Sequence, residues 1–103
     1  MIDLLKAGVF DSTIVFKDIK KTPERLTDIY EIELYVYGEG ESYIDSALYR
    51  HEKGNLIFIK PGQRRFSRNR FVCFYLHLNI DKETADYFEN VPPVIKASDY
   101  QLY

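Results

Sequence analysis

Cysteine and long apolar runs are scarce or missing in this chain, and each scarcity excludes a class of protein. Cys73 is the only cysteine among 103 residues, so an internal disulfide and a zinc site built on several cysteines are both excluded. No apolar run approaches the ~20 residues that a membrane-spanning helix needs. The N-terminus also lacks the basic and apolar regions of a signal peptide. We therefore expect a cytoplasmic protein with no membrane contact.

Glycine and proline are also few, five and four residues, whereas 46% of the chain is hydrophobic and 16% is aromatic. This composition indicates one globular domain over residues 1–103 rather than a disordered or repetitive chain. The alternation of apolar and polar residues predicts strands of four to nine residues separated by turns, which is typical of a β-sandwich or barrel. The predicted strands cover 13–17, 29–37, 41–45, 48–51, 56–59 and 71–78, with turns at 38–40, 53–55 and 61–62.

The only helix that the sequence predicts lies near the C-terminal end, from Lys82 to Glu89. Asp81 precedes it as a candidate N-cap, because an aspartate there can accept a backbone N–H of the first turn. Two consecutive prolines, Pro92 and Pro93, follow it and end the helical segment.

The longest predicted strand, 29–37, has two faces that compete for the interior. Hydrophobic alternation would bury Tyr30, Ile32, Leu34 and Val36, because apolar faces seek the core. The opposite face carries Glu31, Glu33, Tyr35 and Tyr37. Both faces are covered if the sheet packs on each side, and a bulge would switch the buried parity partway along the strand. The sequence leaves these alternatives open.

Charge is unevenly distributed along the chain. Residues 1–49 hold 5 basic and 10 acidic side chains, residues 50–70 hold 7 and 1, and residues 71–103 hold 2 and 5. Four of the basic residues fall in the run Arg64–Arg70. Such a run is typical of a phosphate-contacting loop, an anion site or a solvated loop that pairs with acidic strands. The overall net charge of −2 argues against a DNA-binding domain.

Three segments together resemble a known family. They are 28–40 (DIYEIELYVYGEG), 53–63 (KGNLIFIKPGQ) and 74–77 (FYLH), in this order and spacing. They resemble the N-terminal cupin domain of AraC-type transcription regulators. The resemblance implies an all-β fold, a double-stranded β-helix or jelly-roll-like barrel, with one short C-terminal helix. It further implies an N-terminal arm (1–12), a barrel (13–80) and the start of a helical interface segment (81–103).

In that family the barrel senses a small molecule and the domain forms a homodimer. DNA is bound by a separate helix-turn-helix domain C-terminal to the barrel. The resemblance therefore implies an effector-sensing and dimerisation domain that does not itself bind DNA, with a sugar, a carboxylate or another small polar molecule as effector. The alternative from another class is a freestanding small cupin that acts as a metal-independent enzyme or as a sugar- or anion-binding protein.

The metal-ligand motifs of the wider cupin family can be laid on this chain. The first, H-x-H-x3-E-x6-G, matches at Glu31 and Gly38 but has Arg25 and Thr27 at the histidine positions. The second, G-x5-P-x-G-x2-H-x3-N, has Arg65 at its histidine position. Guanidinium is a permanent cation without a lone pair to donate to a metal. The sequence therefore predicts no metal, no cofactor and no metal-dependent enzyme activity.

The same substitutions predict a different site. Two arginines near a glutamate can bind a carboxylate, a phosphate or a polyol through charge-assisted hydrogen bonds. His77 alternates with Tyr75 and Cys73 on one face of the last strand and is a further candidate for the cavity wall. The predicted ligand-binding residues are Arg25, Thr27, Glu31, Arg65, Tyr75 and His77, with no catalytic residue among them.

Overall fold

The computed structural model describes residues 1–15 and 21–96, with the side chains of residues 13 and 15 left aside. Eight strands and two short α-helices follow one another within these two ranges. They are β1 (Ile2–Asp11), α1 (Ser12–Val15), β2 (Arg25–Leu26), β3 (Tyr30–Ile44), β4 (Ala47–Glu52), β5 (Asn55–Ile59), β6 (Arg64–Arg68), β7 (Phe71–Ile80), α2 (Lys82–Ala85), a 3-10 turn (Asp86–Phe88) and β8 (Val94–Lys96).

The strands form two antiparallel sheets that share β3. The first sheet has the order β1-β7-β3-β5-β8, and the second places β3 between β4 and β6, with β2 beside β6. The first half of β3 pairs with β5 and β7, and its second half pairs with β4 and β6. The predicted all-β architecture is confirmed, and β3 is the strand that joins the two sheets.

The predicted turn at 38–40 is wrong, because β3 runs through it. The strand bends there instead. Its register with β7 shifts between Tyr35 and Tyr37, and Gly38 has φ +84°. A Cβ at Gly38 would collide with the carbonyl oxygen of Arg70, so this position accepts only glycine without strain. The bend lets one strand serve both sheets.

The bulge settles which face of β3 points inward. Glu31, Glu33 and Tyr35 are buried before it, and Gly40, Ser42 and Ile44 are buried after it. A parity switch, one of the alternatives left open by the sequence, is therefore what the chain uses. The apolar set of the first half, including Leu34 at 40% exposure, points outward.

Apolar side chains from both sheets fill the space between them. This core consists of Tyr35, Ile44, Ile57, Ile59, Phe71 and Cys73, and Phe10, Tyr49 and Val94 pack against it. Burial raises the pKa of the Cys73 thiol to about 12, with a further contribution from the Glu33 charge. Cys73 therefore stays a protonated, inert core residue at neutral pH.

The segment before the barrel differs from the expectation. The resemblance implies an N-terminal arm over residues 1–12, whereas Ile2–Asp11 forms an edge strand paired with β7 from Ile2↔Ile80 to Asp11↔Val72. The strand predicted at 13–17 is also wrong over its described part, because Ser12–Val15 is helical; residues 16 and 17 lie outside the described residues. Local alternation was too weak in both segments to predict what long-range pairing decides.

The sequence does not predict three further strands, whereas it does predict the helix. β2 covers Arg25–Leu26, the basic run contains β6, and the segment after Pro93 contains β8. Asp81 caps α2 as predicted, with its side chain accepting the backbone N–H of Thr84 at 2.8 Å. The helical segment spans 82–88, close to the predicted 82–89, but its second half is a 3-10 turn. Among the described residues no helix has the length and apolar character needed to cross a membrane.

Candidate functional site

A pocket of about 410 Å³ opens between the two sheets. Each of its walls comes from a different part of the chain. The pocket therefore forms only when the strands pair into the two sheets. Its lining residues are Lys6 and Phe10 of β1, Thr22, Pro23 and Arg25, Glu33 of β3, Arg65 and Ser67 of β6, and Phe71, Tyr75 and His77 of β7.

A buried carboxylate draws the two predicted arginines together beside this pocket. Glu31 is 1% exposed, and Arg25 donates to both of its oxygens at 2.6 and 2.7 Å. Arg65 donates to Glu31 Oε1 from the other side at 3.1 Å. The bidentate geometry is the strong form of an arginine–carboxylate pair. Arg25, Glu31 and Arg65 thus form one cluster, as the motif overlay predicted.

A second carboxylate, Glu33, extends the cluster. Arg65 donates to Glu33 Oε1 at 2.9 Å, and the Tyr35 hydroxyl donates to the same oxygen at 2.7 Å. Burial by itself would raise the pKa of Glu33, but the charge and hydrogen bond of Arg65 outweigh it and the pKa is lowered. Burial, followed by the neighbouring Glu33 charge, raises the pKa of Tyr35 well above its usual value. Burial would lower the pKa of Arg65, yet Glu33 raises it. The cluster is therefore ionised at Arg65 and Glu33 and neutral at Tyr35.

A chain of hydroxyls continues the cluster into the second sheet. Arg65 donates to Ser67 Oγ at 3.4 Å, Ser67 Oγ lies 2.9 Å from Ser42 Oγ, and Ser42 Oγ lies 3.1 Å from His51 Nε2. His51 stacks on Tyr35, with ring centroids 3.6 Å apart. Its Nδ1 has no partner among the described residues. Burial lowers the pKa of His51 to about 4, Glu33 raising it and Arg65 lowering it by smaller amounts. The imidazole is neutral at pH 7.

Thr27 does not face the pocket, although the motif overlay placed it with the ligand-binding residues. It is 2% exposed, and its hydroxyl lies 2.8 Å from the carbonyl oxygens of both Lys60 and Gln63. Backbone bonds from Thr27 to Gln63 and from Gly62 to Thr27 close the same loop. Thr27 therefore fastens the loop between β5 and β6, and its assignment as a ligand-binding residue is corrected.

Tyr75 and His77 do line the pocket, as the alternation of β7 predicted. Their rings lie 5.0 Å apart. The Lys6 ammonium lies 5.8 Å from the Tyr75 ring centroid. Within residues 1–15 and 21–96 no carboxylate pairs with Lys6. The pocket thus has an aromatic wall with one free cation above it.

The charge balance of the cluster changes what its arginines can do. Arg25 and Arg65 already pair with Glu31 and Glu33, so the four charges cancel. A ligand therefore meets hydrogen-bonding edges of neutralised groups rather than two free cations. Glu33 uses only Oε1 for its contacts, and Oε2 has no donor within the described part of the chain. The expected anion site is, in this structure, a polar floor with both donors and an acceptor.

The donor set does not fit a metal ion. Across the described ranges, no group of three or more histidine, cysteine, aspartate and glutamate side chains could hold one. The Arg65 guanidinium bonds to the motif glutamate itself, Glu31, and so takes the place where a metal would need that oxygen. No catalytic step through a metal is derived for this site.

The basic run 64–70 is divided between two faces by strand alternation. Arg65 and Ser67 point inward and are buried, whereas Arg64 and Arg68 are exposed on the outer face of the second sheet. There Tyr43 and Phe66 stack at 4.5 Å, with the Arg68 guanidinium 5.7 Å from the Tyr43 ring. The four guanidiniums therefore do not form one phosphate-binding patch.

A second pocket of about 460 Å³ lies at the open end of the β3–β4 hairpin. It is slightly larger but has no aromatic ring in its wall apart from His51. One of its three glutamates, Glu41, pairs with Arg50 at 3.5 Å on an exposed surface. We assign the candidate site to the 410 Å³ pocket, because that pocket adjoins the buried cluster.

Several site residues escaped the sequence analysis. Glu33 and Tyr35 appeared only in an unassigned strand face, and the alternation that pairs Glu33 with Glu31 was the signal that could have placed them. The sequence analysis does not predict Lys6 and Phe10, because the resemblance makes residues 1–12 an arm rather than part of the barrel. Ser42 and Ser67 carry no local signal, since their contact joins two strands that are 25 residues apart.

Comparisons with known proteins show the fold. No protein-family model and no curated protein matches the chain. The chain is similar to the cupin domain of Schizosaccharomyces pombe Cnp3, with a TM-score of 0.60 and 13% identity over 84% of this chain and 68% of that one. It is similar to the plu4264 protein of Photorhabdus luminescens, with a TM-score of 0.51 and 20% identity over 84% and 82%. It is also similar to a Bacillus subtilis oxalate decarboxylase variant, with a TM-score of 0.53 and 10% identity over 99% of this chain but 36% of that one. The chain has the all-β cupin fold.

Proposed function

We propose that this cupin domain is the effector-sensing part of a transcription regulator, and that its 410 Å³ pocket binds one small polar molecule. The observation that carries the proposal is the pocket itself, which has a polar floor of paired charges and an aromatic wall. A fixed cluster of donors and acceptors under an apolar wall is a common form of small-molecule site. The family resemblance of segments 28–40, 53–63 and 74–77 supports the regulatory context.

The chemistry of the lining favours binding over metal catalysis. Arg25, Glu33 and Ser67 offer both donors and acceptors, so a hydroxyl-bearing ligand has partners of each kind. Phe10, Phe71 and Tyr75 offer rings for its apolar face. Lys6 adds one positive charge, which suits a ligand with a single carboxylate. The ligand class we propose is therefore a small polyol or a small monocarboxylate with an apolar face.

In the proposed regulator a separate helix-turn-helix domain binds DNA, and the effector acts by preferring one of two states of the whole protein. β1 supplies Lys6 and Phe10 to the pocket and is an edge strand of the sheet. Ligand contacts to β1 would therefore change the stability of this edge strand. A change there could be transmitted from the occupied pocket to other domains of the regulator.

The test is a binding screen with the folded chain. Neutral pentoses and hexoses, and small aliphatic and aromatic monocarboxylates, are tested by thermal shift, and the ligands that shift the melting temperature are measured by isothermal titration calorimetry. We expect one class to stabilise the fold. Tyr75→Ala should raise the Kd of that ligand ~10-fold or more, because the ligand loses a ring contact that also shields it from water. Tyr87→Ala is the matched control, since Tyr87 is 84% exposed outside the pocket.

Lys6→Met separates the two ligand classes. It should raise the Kd of a monocarboxylate ~10-fold, because a charge-assisted contact is lost. The Kd of a polyol should change by less than ~2-fold. If no compound of either class shifts the melting temperature, or if Tyr87→Ala weakens binding as much as Tyr75→Ala, the pocket is not the sensing site.

A further inference from the structure

The second pocket, of about 460 Å³, contains polar groups that no other described residue satisfies. It has no lining residue in common with the 410 Å³ pocket. Its walls include the last residue pair of the β3–β4 ladder, the turn between β4 and β5, and the end of β8. Two pairs of residues in these walls have opposite chemistry, Glu39 with Glu52 and Asn55 with Lys96.

The first pair consists of two carboxylates. Glu39 and Glu52 lie directly opposite each other in the antiparallel β3–β4 ladder. Their side chains therefore leave the same face of the second sheet as close neighbours, and like charges in such positions destabilise the ladder. Glu41, the next residue of β3 on that face, pairs with Arg50. Neither Glu39 nor Glu52 has an ion pair within the described part of the chain. The pair therefore offers two acceptors whose charge is not neutralised.

The second pair begins with a buried donor, the side-chain amide of Asn55. Asn55 is 5% exposed, and its Oδ1 accepts the backbone N–H of Glu52 at 2.8 Å. This bond closes the turn between β4 and β5 and decides which end of the amide remains available. The –NH₂ group has no acceptor among residues 1–15 and 21–96, and a buried donor left in this state costs free energy. Its nitrogen is not fully enclosed, so a ligand in the pocket can reach it.

Lys96 lies beside Asn55 on the neighbouring strand. The two residues are register partners in the β5–β8 pair, so their side chains leave the same face of the first sheet. Across the described ranges no carboxylate pairs with Lys96. An ammonium next to an amide –NH₂ group is a donor pair that suits a carboxylate. The bond from Glu52 to Asn55 holds this donor pair next to the acceptor pair.

We propose that the 460 Å³ pocket binds a small zwitterion, a linear amino acid whose ammonium lies between Glu39 and Glu52 and whose carboxylate meets Asn55 and Lys96. Such a ligand relieves the cross-strand repulsion and satisfies the buried amide at the same time. His51, which also lines the pocket, is neutral and does not repel the ammonium. This site differs from the proposed effector site in its position, its lining and the charge of its ligand. Because both glutamates and Lys96 are exposed, we expect a Kd on the order of 1 mM.

Proton–nitrogen correlation NMR of the folded chain measures this binding and locates it. Glycine, β-alanine, γ-aminobutyrate and δ-aminovalerate supply the same two charges at increasing separation, and butylammonium and butyrate supply one charge each. We expect at least one amino acid to shift the Asn55 side-chain amide signals, with a Kd at least ~10-fold below that of either half-molecule. Asn55 signals that no amino acid moves even at ~50 mM, or half-molecules that bind as tightly, would overturn the proposal.

Two substitutions test the donor pair. Asn55→Asp keeps an acceptor for the Glu52 N–H but removes the –NH₂ group, and Lys96→Met removes the ammonium of an exposed residue without changing the core. Each should raise the Kd of the amino acid at least ~10-fold, because a hydrogen bond to its carboxylate is lost. Lys53→Met is the matched control, since Lys53 is an exposed lysine of the same turn that does not line the pocket. It should change the Kd by less than ~2-fold, and an effect equal to that of Lys96→Met would contradict the proposed contacts.

Glu52→Gln tests the acceptor pair with a readout that a structural role would move in the opposite direction. It should raise the Kd of the amino acid ~10-fold and yet raise the melting temperature of the unliganded chain by ~2 °C, because the repulsion from Glu39 is lost. A lower melting temperature would show that Glu52 serves the fold rather than a ligand. Shifted backbone signals of Tyr75 and His77 in place of Asn55 would put the amino acid in the 410 Å³ pocket. That result would overturn this second site and leave the effector proposal standing.

Discussion

At the scale of single residues, Arg65 is the most consequential side chain in the structure. Its guanidinium is buried between Glu31 and Glu33, and it is the only cation that contacts both within the described residues. A buried ion pair contributes little net stability compared with an apolar replacement, but removing one partner leaves the other charge uncompensated. The cluster is therefore sensitive to single substitutions.

Arg65→Met should lower the free energy of unfolding by ~3–5 kcal/mol, because Glu33 loses its charged partner. The double variant Arg65→Met/Glu33→Leu should recover part of that loss, since the remaining Glu31–Arg25 pair is neutral. Arg68→Met, on the same strand but exposed, is the control and should change stability by less than ~0.5 kcal/mol. Urea denaturation measures all three. Equal losses in Arg65→Met and Arg68→Met would contradict the ion-pair account.

His51 gives the fold a pH dependence above the range in which carboxylates titrate. Its folded pKa of about 4 lies below the value of about 6.5 in the unfolded chain. Between these values the unfolded chain binds more protons, so stability falls as the pH falls. The lowered pKa of Glu33 affects stability at lower pH. Its contribution to the free energy of unfolding is fully present above the unfolded carboxyl pKa and is lost as the pH falls through the folded pKa.

From pH 7 to pH 5, wild type should lose about 2 kcal/mol through His51. His51→Phe keeps a ring against Tyr35 and should lose much less over the same interval, whatever its starting stability. Urea denaturation at several pH values measures the slope, and an NMR titration of the two histidines measures the pKa directly. A His51 imidazole that titrates near pH 6.5 in the folded protein would refute the assignment.

At the scale of elements, β3 does most to shape the molecule. A single strand of 15 residues enters both sheets because its register shifts after Tyr35 and Gly38 takes a positive φ. Gly40 supports the second half. A Cβ there would collide with the His51 ring, so the imidazole packs directly against bare backbone. The bend therefore needs glycine at two positions for two reasons, conformation at Gly38 and space at Gly40.

Gly38→Ala should cost ~2–4 kcal/mol, since the new methyl meets the Arg70 backbone carbonyl as well as an unfavourable φ. Gly62→Ala is the matched control, because Gly62 has φ +89° but open space around it, and should cost only ~1 kcal/mol. Thermal and urea denaturation compare them. Should the two variants lose the same amount, φ alone would explain Gly38 and the close approach to β7 would not matter.

At the scale of the whole molecule, paired side-chain charges occupy the interior of the cupin barrel. Glu31 is bonded by Arg25 and Arg65, so the interior cation is covalently part of the chain. Guanidiniums stay protonated at any pH at which proteins fold. The charge of Glu31 is thus balanced by side chains of the same chain.

The melting temperature should therefore be the same with and without chelator, and should not rise with Ni²⁺, Mn²⁺ or Zn²⁺. Binding to the native state alone would have to stabilise it by RT ln(1 + [L]/Kd). Differential scanning fluorimetry with micromolar metal, on protein without an affinity tag, measures this. A rise of several degrees would show a metal site that the donor set around Glu31 does not explain.

Much of the fold followed from the sequence. Alternation and turn residues predicted the central strands, the Asp81 cap predicted α2, and the motif overlay predicted that Arg25, Glu31 and Arg65 would converge. These predictions depended on local periodicity or on motif spacing, and both can be determined from the sequence alone. The assignment of Thr27 to the ligand site failed, because spacing placed the residue correctly but could not show that its hydroxyl turns to the loop carbonyls.

The sequence by itself determined an all-β chain with one cysteine, two arginines at the positions of missing imidazoles, and a strand with one acidic and one apolar face. Only the tertiary structure decided which face of that strand is buried. Local hydrophobicity favours burying Leu34, but pairing Glu31 and Glu33 with Arg65 requires the opposite choice, and Arg65 comes from a strand more than 30 residues away. The Glu33–Arg65 contact joins two distant strands, so alternation within β3 alone could not predict it. It nevertheless fixes the interior of the barrel and turns the apolar side chains of β3 to its surface.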